Sequence, residues 1–72
     1  MTLDEMTQII LNHWKVHAKT AIKDWTPAEL MEQARARAML ADAEMQSLAA
    51  VGVDRQTAWV DVRNSMALRA PA

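Results

Sequence analysis

A chain of 72 residues with eight Lys/Arg against nine Asp/Glu carries a net charge of −1, so it has no global electrostatic drive towards nucleic acid or anionic lipid. The absence of cysteine excludes disulfides, a thiolate nucleophile and a cysteine metal site, and a single glycine excludes a glycine-rich phosphate loop. Apolar residues make up 51% of the chain, but fourteen of them are alanine; Phe and Tyr are absent, and three Trp and six Met supply much of the bulk. A core built this way sits near the lower size limit for a self-sufficient domain, which predicts a homo-oligomer or a partner that completes it.

The first predicted helix covers residues 3–23. Thr2-Leu3-Asp4-Glu5 has the capping-box pattern, with a threonine cap and a glutamate three residues later. Leu3, Met6, Ile10, Trp14, His17 and Ala21 recur at helical spacing as an apolar stripe, flanked by Leu11, Ala18 and Trp25. Gln8, Asn12, Lys15, Lys19 and Lys23 form the opposite, solvated side. His13 and His17 lie four apart, the spacing at which two imidazoles chelate a divalent metal. No third histidine, cysteine or HExxH pattern accompanies them, so His17 is expected to be a core or interface residue and no metal site is expected. Lys15, Lys19 and Lys23 suit phosphates, but Trp14 and Trp25 stand on the apolar side rather than among them, so the stripe reads as solvated.

The second helix, 27–51, is the best punctuated. Thr26-Pro27-Ala28-Glu29 supplies a cap, a proline at the first helical position and a glutamate at the third, and Gly52 supplies the stop. Met31, Ala34, Ala38, Ala41, Met45 and Leu48 alternate by three and four as a helix-packing seam. A second apolar set, Ala36, Met39, Leu40, Ala43 and Ala50, lies on the other side, so this helix is expected to be covered twice. Its short connection to the first helix predicts an antiparallel hairpin.

The third helix, 55–69, begins after the Asp54 cap and fades before Pro71, with Ala58, Trp59, Val62 and Met66 as its main stripe. The stretch Leu48-Ala49-Ala50-Val51-Gly52-Val53-Asp54-Arg55-Gln56-Thr57-Ala58-Trp59 resembles a helix-turn-helix DNA-binding motif through Gly52, Val53, Asp54 and Thr57. The resemblance implies a recognition helix presenting Arg55, Gln56, Trp59 and Arg63 to DNA. Leu48 where the motif uses a small residue, Asp61 where it packs inward, and a much longer preceding helix depart from it.

Catalysis has little to stand on. Ser47 and Ser65 lack a nucleophile context, the histidines share one helix, and pairs such as Glu32 with Arg35 or Arg37 with Glu44 are ordinary solvated faces. So small a helical chain is also expected to lack a ligand-sized pocket. The N-terminus shows no signal-peptide pattern and no apolar run approaches the roughly 20 residues of a membrane span.

The sequence therefore predicts one all-α domain over 1–72, a three-helix bundle on an antiparallel hairpin, oligomeric and cytoplasmic. The expected function is non-enzymatic protein–protein interaction in an adaptor, chaperone-like or regulatory role, without cofactor, membrane or small-molecule substrate. Its candidate contact residues are Met39, Leu40 and Ala43, then Trp59, Val60 and Leu68. A DNA-binding regulator using residues 55–69 is the alternative.

Overall fold

The computed structural model describes residues 1–71, so Ala72, the last residue of the predicted domain, lies outside it. The described chain is helical throughout: α1 (Leu3–His17), α2 (Lys19–Ile22), α3 (Pro27–Ala50) and α4 (Arg55–Val62), followed by a π-helical turn, Arg63–Ala67. At about 1.5 Å per residue, the 24 residues of α3 run most of the molecule's 41 Å length. α1 packs along one side of α3, and α4 with the π-turn packs against that same helix.

Local chemistry sets the boundaries. At α1 the Thr2 hydroxyl accepts from the Glu5 N–H at 3.2 Å, while a Glu5 carboxylate oxygen accepts from the Thr2 N–H at 2.9 Å, a complete capping box. Thr26 accepts from the Glu29 N–H ahead of Pro27, and Asp54 accepts from the Thr57 N–H at 3.0 Å. At the end of α3 the Val53 N–H donates to Leu48 O and the Gly52 N–H to Ala49 O, a Schellman closure. That closure needs the left-handed conformation that Gly52 adopts at φ 94°.

Two of these caps are titratable. Hydrogen bonds from the Thr2 backbone, then from its side chain, hold the Glu5 carboxyl below its ordinary 4.5; the Thr57 hydroxyl, then its N–H, holds Asp54 below 3.8. Both groups are more acidic in the folded chain, so their contribution is full above those ordinary values and is lost as pH falls below them and through the lowered ones. Far-UV circular dichroism is expected to hold steady down to about pH 5 and to lose helicity below about pH 4. Asp54→Asn, which keeps a capping oxygen but cannot titrate there, is expected to shallow that loss.

One core joins the elements: Met6, Ile10, Leu11, Trp14 and Ala18; Ala34, Ala38, Ala41 and Met45; and Ala58, Trp59, Val62 and Ala67. The alanine seam of α3 brings its neighbours close enough for the two buried tryptophans to fill the space. Trp14 meets Trp25 edge to face, with ring centres 6.5 Å apart and planes at 88°.

Four expectations need correction. The first helix breaks at Ala18, which leaves helical geometry at φ −129°, ψ 33°, although the Ala18 and Ile22 N–H groups still donate to the Trp14 and Ala18 carbonyls. His17 is exposed, not part of the core, and Ala21 is exposed with it. By angle His17 falls between Met6 and Ile10, both fully buried; what it lacks is cover, because α3 buries no residue before Ala34. On α3, Met31 is exposed and Leu48 half-buried, so the buried seam is shorter than its pattern. The last helix widens into the π-turn, where the Leu68 N–H donates to Arg63 O. On α-helical spacing of about 100° per residue, Val62 and Ala67 would stand about 140° apart; the wider turn lets both reach the core.

Candidate interaction surface

α3 has two faces of different fate. Its inner seam is covered by α1 and by α4 with the π-turn, whereas Ala36, Met39, Leu40, Ala43, Ser47 and Ala50 are all exposed on the opposite side. The second cover expected for this helix is therefore not supplied by its own chain. Met39 and Leu40 keep 57% and 60% of their surface open. None of these six residues is charged, which is unusual for the solvent side of a helix.

The other residues proposed for contact divide. Val60 is exposed and borders a shallow groove between the end of α3 and α4 that Leu48, Val53 and Asn64 also line. Trp59 is buried, with 7% of its surface open, and belongs to the core; Leu68 is half-buried and packs against that core. Neither offers a free anchor. α4 presents more apolar residues than solvent leaves exposed because α3 takes one side of it.

The residues a DNA-reading helix would use are similarly split. Gln56 is exposed, Arg63 is half-buried and Trp59 points into the core. Arg55 is exposed, and its guanidinium donates to the Met1 carbonyl at 3.0 Å and pairs with Asp42 at 3.2 Å.

Arg37 was not legible as anything but a solvated charge. It is half-buried and donates to the carbonyls of Met66 and Arg69, both at 3.0 Å, while its guanidinium carbon lies 5.5 Å from the centre of the Trp14 ring. The Trp14 indole N–H donates to Arg69 O at 2.8 Å. Together they close the C-terminal turn with charge-assisted hydrogen bonds and a cation–π contact. By contrast, Arg35 and Asp4 pair at 3.4 Å on the open surface, where such a pair contributes little.

The fold also has more room than its size suggested: two open recesses of about 440 and 500 Å³ flank α4, the first lined by Met1, Glu5, Met45, Arg55, Gln56 and Trp59. Among the described residues no three His, Asp or Glu side chains gather as a metal cluster, and no helix is long and apolar enough to cross a membrane. Comparison with protein-family models, curated proteins and solved structures finds no match to this chain.

Proposed function

We propose that this protein is a non-enzymatic protein–protein interaction module, an adaptor, chaperone-like or regulatory protein, and that it acts through the outer face of α3. The observation that carries this reading is the uncharged exposed strip Ala36–Leu40–Ala43–Ser47–Ala50, with Met39 beside it. Its spacings of four, three, four and three repeat the helix-packing pattern that the inner seam already uses. A helix with two such faces is built to be packed on both, and the chain itself covers one.

The partner this face fits best is a second copy. Turned about a two-fold axis between Leu40 and Ala43, the strip sets each Leu40 against Ala43 of the second copy, large against small, and each Ala36 against Ser47, small against small. Burying the 57% and 60% of Met39 and Leu40 that are open contributes about 1–2 kcal/mol each, in a protein whose alanine-rich core is small. In this reading the protomer is a three-helix bundle, with α1–α2, α3 and α4 with its π-turn as the three members, and the assembly works in the cytoplasm. DNA contact through α4 has less support, because Trp59 is buried and Arg55 is engaged.

Sedimentation equilibrium over a concentration series tests the reading. Wild-type protein is expected to gain mass with concentration, and Leu40→Glu to stay monomeric, with a melting temperature close to that of wild type at dilutions where both are monomers. A wild type that remains monomeric throughout would overturn self-association.

A further inference from the structure

His13 and His17 stand with their ring centres 4.5 Å apart and their planes at 38°. His17 is exposed and His13 half-buried, so neither imidazole is consumed by the core. We propose that this pair is a bidentate site for a divalent transition metal that favours imidazole, such as Zn²⁺, Ni²⁺ or Cu²⁺.

The spacing argues for it directly. Metal–nitrogen bonds of about 2.0–2.1 Å place the centres of two imidazoles on one ion roughly 4.5–5 Å apart. The observed separation falls at the lower end of that range, so the two rings already stand at chelating distance. Position helps as well. His17 is the last residue of α1, where the negative end of the helix dipole favours a cation. Lys15, the nearest cationic residue in sequence, projects from the opposite side of the helix by its spacing from both histidines. Water fills the remaining coordination positions, since two side chains supply only part of a metal's shell. A bound ion would clip the last turn of α1 just before the break at Ala18.

Isothermal titration of the untagged protein with ZnCl₂, paired with ¹⁵N shifts of the imidazoles, tests the site. Zinc is expected to move both histidines' signals together and to raise the melting temperature. His13→Ala and His17→Ala are each expected to weaken binding by at least the roughly 10-fold that loss of even a second-shell group costs, and to abolish the thermal shift. Alanine is the better helix former, so both variants keep α1. Zinc affinity that is unchanged in either variant, or no response of the two imidazoles at millimolar zinc, would overturn the proposal.

Discussion

Replacing Trp14 with alanine is expected to cost about 3–5 kcal/mol, a large part of what holds this chain folded. At 0.05–0.15 kcal/mol per residue, a domain this size has about 4–11 kcal/mol in total. Trp14 is almost wholly buried, packs on Trp25, carries Arg37 over its ring and anchors the C-terminal turn through Arg69 O. Its loss opens a cavity between α1 and α3 and frees the turn at once. Thermal melting followed by circular dichroism should fall by at least roughly 12 °C. Trp14→Phe keeps part of the packing but removes the indole donor and part of the buried ring, so it is expected to cost more than the roughly 1 kcal/mol of the hydrogen bond alone and less than Trp14→Ala. Equal melting temperatures for Trp14→Ala and wild type would mean that the α1–α3 contact is not the core of this fold.

The second large effect is a contrast between the two faces of one helix. Ala38 is fully buried in the middle of the inner seam. A glutamate there inserts an unpaired carboxylate and several extra atoms, an expected loss of about 3–5 kcal/mol from the charge alone and about 1–3 kcal/mol from overpacking. Ala38→Glu should therefore be largely unfolded at neutral pH. Ala43→Glu, five residues along the same helix but on the outer face, should stay within about 0.5 kcal/mol of wild type in the monomer while losing self-association. If the two substitutions destabilise alike, the division of α3 into inner and outer faces is wrong.

Much of this architecture is written locally. The caps at Thr2, Thr26 and Asp54 and the stop at Gly52 need only neighbouring residues, and each forms as its sequence pattern implies. Ala34, Ala38, Ala41 and Met45 are buried as their spacing requires. What was not legible depends on distant residues. No glycine or proline marks the break at Ala18. The π-turn at Arg63–Ala67 answers to α3, and the Arg37 clasp joins residues about thirty apart. The candidate surface was half legible: periodicity found Met39, Leu40 and Ala43, but could not tell them from Trp59, whose fate depends on where α4 lies. The exposure of His17 was missed for the same reason, since its helical spacing matches the buried stripe and only the position of α3, which buries nothing before Ala34, leaves it uncovered.

The outer face of α3, as proposed, meets the same face of a second copy. Because the chain has no cysteine of its own, Ala43→Cys treated with a short bismaleimide reports that proximity directly, with Gln8→Cys on the solvated side of α1 as the reference. A covalent dimer forming rapidly at Ala43→Cys and only slowly at Gln8→Cys is the expected result. Equal, slow cross-linking at both positions would contradict it.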